Sequence, residues 1–198
     1  MPSGPIDLAD IVDDSVAVMD ELGHGSFHVA GYSLGAVAAL ATAARFPARV
    51  SSVTSLCGWA TTDARMRLTF DLWRRLIAID SELFMRYALA DGYTGGALTM
   101  MEAMIDQVIP MAASTVAPGS DAHLELDARI DIASELSQVT CPTLILGGSE
   151  DRWVTPEHAR HLASLIPHST VTELPAGHLV IQELAPQVAE ALVAHLSR

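Results

Sequence analysis

The chain has 198 residues, half of them apolar, with two cysteines and a formal charge of −13 from 24 acidic and 11 basic side chains. That length suits one domain with a sizeable core and room for an inserted subdomain, and the apolar fraction excludes global disorder. So few cations, dispersed along the chain, argue against nucleic acid as a partner, because phosphate binding needs clustered Lys and Arg.

Leu8, Ile11, Val12, Val16, Met19 and Leu22 share one stripe of a helix over roughly residues 7–22. Asp7, Asp10, Asp13, Asp14, Asp20 and Glu21 take the rest of its surface, and Gly23 stops it. Phe27 to Tyr32 reads as a short buried strand, Leu34 to Phe46 as an alanine-rich helix ended by Pro47, and Val50 to Cys57 as a second strand. From His24 to Ala44 no residue is charged at neutral pH apart from histidine, about the length of a bilayer span. Its glycines, serines and small side chains fit a buried strand–turn–helix better. With no basic segment leading into an apolar one at the N-terminus, the expectation is a soluble cytoplasmic protein without a membrane partner. Cys57 and Cys141 lack metal-ligand or disulfide spacing and are expected as buried small hydrophobes. His28 is expected as a satisfied core histidine. His158 and His161, one helical turn apart, are expected on a solvated face.

Between about Gly58 and Glu135 no strand pattern occurs, only helical stripes near residues 65–79, 82–89 and 97–111. Six of the eight methionines lie here: Met66, Met85, Met100, Met101, Met104 and Met111. Residues 58–135 are therefore expected to form a helical cap, with 1–57 and 136–198 as the core. Thr143 to Leu146 reads as a third strand, Pro156 to Ile166 as an amphipathic helix and Thr170 to Leu174 as a fourth strand. A last helix, opened by Pro186, runs to about Leu196. Alternating strands and helices predict an α/β fold, a mostly parallel sheet flanked by helices, with the cap between its second and third strands.

Gly31-Tyr32-Ser33-Leu34-Gly35 matches G-x-S-x-G where a strand turns into a helix, the setting of a nucleophile elbow. Gly31 and Gly35 are expected to be glycines because a Cβ at either would collide with the turn. The alternative is a tight turn with a bystander serine. A serine nucleophile needs a base, and the base needs an orienting acid. "GGSEDRWVTPEH" after the third strand offers Asp151, beside Glu150, and "ELPAGHLV" after the fourth offers His178. The C-terminal ends of parallel strands line one edge of a sheet, so Ser33, Asp151 and His178 are expected to converge there. Nothing in the setting of Asp63 requires it as the acid.

"GYSLGA", "GGSEDRWVTP" and "PAGHLV", in this order, resemble the α/β-hydrolase superfamily in its capped, esterase- and lactonase-like branch. The resemblance implies Ser33 as nucleophile, His178 as general base then acid, and Asp151 as the orienting carboxylate. It also implies the Leu34 backbone N–H as an oxyanion-hole donor, with no cofactor and no metal. The expected function is a serine hydrolase cleaving a carboxylic ester or lactone through an acyl-enzyme on Ser33. The alternative is a non-catalytic chain acting as a binding or dimerising module. Acyl transfer, C–C cleavage and perhydrolysis on the same residues are not separated at this level. A methionine-rich cap suits a small apolar acyl or lactone substrate, or simply packs on the sheet. Tyr32, Trp59 and Trp153 are placed to line the pocket, although both tryptophans could equally be packing. Relatives carry further strands before the first helix seen here, and their second oxyanion donor comes from a loop there, often marked His-Gly. The His24–Gly25 pair precedes the strand leading to Ser33, roughly 20 Å from its far end, and is not that donor. The strand 27–32 is thus expected to show an unpaired apolar edge. Three readings stay open: a shortened form of a longer hydrolase, a homodimer through this edge, or another partner completing the sheet.

Overall fold

The computed structural model describes residues 5–197. Helix α1 (Leu8–Glu21) opens on Asp7, whose carboxylate accepts from the Ala9 N–H at 2.9 Å. It closes in a Schellman arrangement: His24 N–H donates to Met19 O, Gly23 N–H to Asp20 O, and Gly23 takes φ +73°. Leu8, Val12 and Val16 are buried, whereas Leu22, at the C-cap, is exposed and drops off the expected stripe.

Strand β1 (Phe27–Tyr32) passes through α2 (Leu34–Arg45) to β2 (Val50–Leu56). Nine consecutive residues of α2, Ala36 to Ala44, are buried, and their small side chains let the helix lie close to the sheet. Five helices follow between β2 and β3: α3 (Ala64–Ile79), α4 (Ser81–Gly92), α5 (Gly95–Met101), α6 (Ile105–Ala113) and α7 (Ser120–Asp127). The expected stripe over 97–111 is two helices, because a 3₁₀ turn at Glu102–Met104 breaks it. Helix α7, in a polar stretch with a weak stripe, escaped sequence reading. The ends of this insertion are pinned together by Thr62 N–H to Ile130 O (2.9 Å), Ile132 N–H to Ala60 O (2.8 Å) and an antiparallel bridge between Thr61 and Asp131.

The chain returns through β3 (Thr143–Gly148), α8 (Pro156–Leu165), β4 (Ser169–Leu174), the short α9 (Val180–Glu183) and α10 (Ala185–Leu196). The four strands pair in parallel in the order β1-β2-β3-β4. Every residue of β3 is buried, as a strand covered on both faces should be. β1 lies at an edge, with His28 and Ala30 exposed. The main core runs from α1 and α2 across the sheet to α8 and the base of the insertion. A second cluster, with Leu56, Cys57, Leu146, Val180 and Val188, packs the other face. Cys57 and Cys141 are both free and buried. Met66 is buried in the core, while Met100, Met104 and Met111 are largely exposed, so those three neither roof a pocket nor pack on the sheet. Among the described residues no helix is long and apolar enough to cross a membrane.

Candidate active site

β1 ends at Tyr32 and α2 begins at Leu34, so Ser33 alone makes the turn, at φ 55° and ψ −122°. A non-glycine residue there is strained, by roughly 1–3 kcal/mol. The turn can close because Gly31 lacks a side chain: a Cβ would lie 1.9 Å from the Gly35 carbonyl oxygen. Gly35 is different from expectation. Nothing lies within 4 Å of where its Cβ would stand, because that position faces outward from the first turn of α2. Ser33 N–H donates to Leu56 O at 2.9 Å and ties the turn to the end of β2.

The ends of β1, β3 and β4 bring three side chains together. His178 Nε2 lies 3.1 Å from Ser33 Oγ, and His178 Nδ1 lies 2.7 Å from Asp151 Oδ2. A carboxylate can only accept, so Nδ1 carries the imidazole proton and Nε2 is left to accept from the Ser33 hydroxyl. Asp151 is buried and held by two amides, Trp153 N–H at 2.8 Å and Val154 N–H at 2.9 Å, both to Oδ1. Glu150, its exposed neighbour, makes no such contact with His178. His178 is buried too, and its carbonyl accepts from Tyr32 OH at 2.9 Å and from Cys57 Sγ at 3.8 Å. Gly148 makes the loop approach possible, since a Cβ there would lie 2.4 Å from the carbonyls of Ala176 and Gly177.

Burial pushes the Tyr32 phenol and the Cys57 thiol up from their ordinary ranges, and the Asp151 charge pushes both further. Both therefore stay protonated and serve as neutral donors. The ligand-type atoms of Cys57, Asp151 and His178 lie within 4.8 Å of one another. Both imidazole nitrogens are already engaged and the thiol is held neutral, so this trio fits a hydrogen-bonded cluster better than a metal site. The Leu34 amide is the first of α2, where helix N–H groups lack intrahelical acceptors and the helix dipole is positive.

Tyr32 and Trp153 flank the imidazole, with ring centroids 5.2 and 4.8 Å away. Trp59 does not join them. It is 1 % exposed, donates from Nε1 to Thr62 Oγ1 at 2.8 Å and packs on Phe70, filling the junction between sheet and insertion. A residue so enclosed does not stand at a pocket mouth. Trp73 stands edge-on to Trp153 at 4.5 Å and forms one wall of a cavity of about 310 Å³ inside the insertion, with Ile77, Phe84, Met85, Val116 and Leu124.

The other histidines depart from expectation. His158 is buried, not solvated, with Nδ1 3.2 Å from Thr155 Oγ1 and Nε2 3.4 Å from Asp63 Oδ2. Its side of α8 faces the insertion, which periodicity within the helix does not reveal; His161 is exposed. His28 is satisfied by Ser52 Oγ at 2.7 Å but is exposed, because β1 is an edge. Asp63 caps α3 through the Met66 N–H at 2.8 Å. His24 and Gly25 lie in the loop entering β1, held by Arg49, at the opposite end of the strand from Ser33. Sequence reasoning missed Cys57 as a neighbour of the site, although its place just after β2 put it on the same sheet edge.

A family model described as alpha/beta hydrolase fold matches residues 3–183. Pyrrolizixenacetamide deacetylase of Xenorhabdus hominickii is 28 % identical over 177 residues, covering 88 % of this chain but 66 % of the relative. Among solved structures, the enol-lactonase from Burkholderia xenovorans LB400 superposes with a TM-score of 0.85 at 21 % identity, covering all of this chain and 75 % of that one. MGS-M2, an alpha/beta hydrolase enzyme from a Medee basin deep-sea metagenome library, gives 0.91 at 16 % identity, covering 100 % and 74 %. The chain thus spans just under two thirds of the deacetylase's length and about three quarters of the two structures. With the family's pattern running through all four strands and both loops that meet at Ser33, the chain belongs to the alpha/beta hydrolase fold family.

Proposed function

We propose that the chain is a serine hydrolase that cleaves a carboxylic ester or lactone through an acyl-enzyme on Ser33. The observation that carries this reading is the continuous line of contacts from Ser33 Oγ to His178 Nε2 (3.1 Å) and from His178 Nδ1 to Asp151 Oδ2 (2.7 Å). As Ser33 Oγ attacks the substrate carbonyl, its proton passes to His178 Nε2, and the imidazolium that forms is stabilised by Asp151. The second Asp151 oxygen already accepts from two backbone amides, which holds the carboxylate in place against Nδ1. The oxyanion develops at the start of α2, where the Leu34 N–H and the positive helix end are available to it. His178 then returns the proton to the leaving alkoxide, and a water molecule, deprotonated by His178 in turn, releases the acid. The chemistry needs no cofactor, since these residues supply nucleophile, base and orienting charge.

Names of relatives favour carbonyl substrates: one is a deacetylase and one an enol-lactonase. The helical insertion, read as a cap, supports a small apolar acyl or lactone substrate. Its cavity is walled by Trp73, which reaches His178 through Trp153 in two ring contacts of 4.5 and 4.8 Å.

Intact-mass labelling of the purified chain with an alkyl fluorophosphonate tests the reading, with Ser33→Ala as control. A stoichiometric adduct that depends on Ser33 is expected. A folded chain that takes no adduct would overturn it. One observation favours a second reading, a binding or dimerising module: β1 pairs only with β2, leaving its outer edge open among the described residues. Light scattering would then report a concentration-dependent dimer, broken by a proline placed at Ala30, whose N–H faces away from β2.

A further inference from the structure

Helix α4 belongs to the insertion, yet its last residues touch both loops that carry His178 and Asp151. On the acid side, Asp91 Oδ2 accepts from Trp153 Nε1 at 2.8 Å, and Tyr87 OH lies 3.3 Å from the same oxygen. Trp153 is the residue whose own amide holds Asp151 and whose ring lies against His178. On the base side, one residue flanking His178 is anchored at the end of α4 and the other, through Glu183, at Thr94 just beyond it. Leu179 N–H donates to Gly92 O at 3.2 Å. Gly177 N–H donates to Glu183 Oε1 at 2.8 Å, and Glu183 in turn accepts from Thr94 Oγ1 at 2.6 Å. The fit is too close for side chains. A Cβ on Gly92 would lie 2.8 Å from the Trp153 ring, and one on Gly177 would lie 2.2 Å from Gly92 O. The Asp91–Trp153 and Thr94–Glu183 contacts join residues 62 and 89 positions apart and form only when the insertion is docked, whereas the Glu183–Gly177 bond is local and passes that docking on to the His178 loop.

We propose that the C-terminal end of α4 is a latch that sets the catalytic geometry, with Asp91 and Glu183 as positioning residues acting on the Asp151 and His178 loops. The proposal rests on the serine hydrolase reading above. Glu183 acts through the Gly177 amide: it fixes the peptide that presents the imidazole. Asp91 fixes the indole that packs against the imidazole, and its charge sits 3.8 Å from Arg152 on the same loop. Docking of the insertion and alignment of the base are then one event, so an undocked insertion leaves Ser33 without a placed base. A misplacement of about 1 Å at such a site costs on the order of 10²-fold in rate.

Two readouts on the 198-residue chain test this with Glu183→Ala, Glu183→Gln, Asp91→Ala and Asp91→Asn. The first is the rate at which an alkyl fluorophosphonate labels Ser33. Both alanine variants are expected to label about 10–100-fold more slowly. Gln and Asn keep an acceptor oxygen and are expected to recover most of the loss, which a general loss of stability would not predict. The second readout is the downfield proton resonance of the His178 Nδ1–H, which does not depend on reactivity at Ser33. It is expected in the parent chain and in Glu183→Gln, and broadened or absent in Glu183→Ala. Parent-like labelling and an intact resonance in both alanine variants would overturn the latch. No Ser33 adduct in the parent chain, with the resonance responding as described, would overturn the hydrolase reading and leave the latch standing as a structural device.

Discussion

Asp127, the last residue of α7, offers a sharp test of how the insertion is seated. It is 9 % exposed, and its Oδ1 has no hydrogen-bond partner among the described residues. Burial pushes its carboxyl up to about 7, from an ordinary value of 3.8. Its carbonyl accepts from Thr62 Oγ1, at the neck where the insertion leaves the sheet, so charging this group strains that junction. The folded state binds the proton more tightly than the unfolded one. Stability from this group is therefore full below about pH 4 and is lost as the pH rises through about 7. Between about pH 5.5 and pH 8 the loss is roughly 2 kcal/mol, which for a chain of this size lowers the melting temperature by about 4–8 °C. Asp127→Asn removes the titration while keeping the shape. Urea or thermal unfolding at both pH values, taken as the difference between parent and variant, cancels every other titrating group. The variant should gain on the parent by roughly 2 kcal/mol between the two conditions. Parallel pH profiles would refute the assignment of a buried, unpartnered carboxyl at the neck.

Three further outcomes follow from the geometry of the site. Gly31→Ala drives a Cβ into the Gly35 carbonyl and should abolish fluorophosphonate labelling of Ser33, whereas Gly35→Ala, facing open space, should label within a few-fold of the parent rate. Asp151→Asn removes the charge that fixes the imidazole proton on Nδ1, and labelling should fall by about 10³–10⁴-fold with little change in melting temperature. Trp59→Phe deletes the bond to Thr62 Oγ1 in a closed core, so unfolding measurements should show a cost of about 1–3 kcal/mol while KM for an ester such as p-nitrophenyl acetate stays constant.

What could be read from the sequence had short range. Gly23 as a stop and the strand-to-helix seam at Ser33 are each decided by a handful of neighbouring residues. Asp151 and His178 were legible because each follows a strand, and parallel strands deliver their C-terminal ends to one edge. The misreadings are of another kind. Trp59 and His158 sit where the insertion meets the core, and which face of an element that insertion covers depends on packing between residues far apart in sequence. Asp91 and Glu183 were invisible for the same reason: nothing in an exposed-looking acidic residue announces that its partner is an indole or an amide in another loop. Gly35 is a lesson in the reverse direction, since the motif letter is present without the steric need that explains Gly31.

Backbone strain gives evidence about Ser33 that is independent of any motif. Among the described residues, the non-glycine positions with positive φ are Ser33 and Cys57, which end the adjacent strands β1 and β2 and both touch His178. A serine that merely occupied a tight turn would have no reason to hold this conformation against its cost, and glycine would serve better. Ser33→Gly should then relieve the strain at the expense of a more flexible unfolded chain, for a net gain of about 1 kcal/mol over Ser33→Ala. At this chain length that is a difference of about 2–4 °C in melting temperature. Both variants lose the nucleophile, so the comparison isolates the backbone. Equal melting temperatures would mean that Ser33 sits in the turn without strain, and the case for a built elbow would rest on the His178 and Asp151 contacts alone.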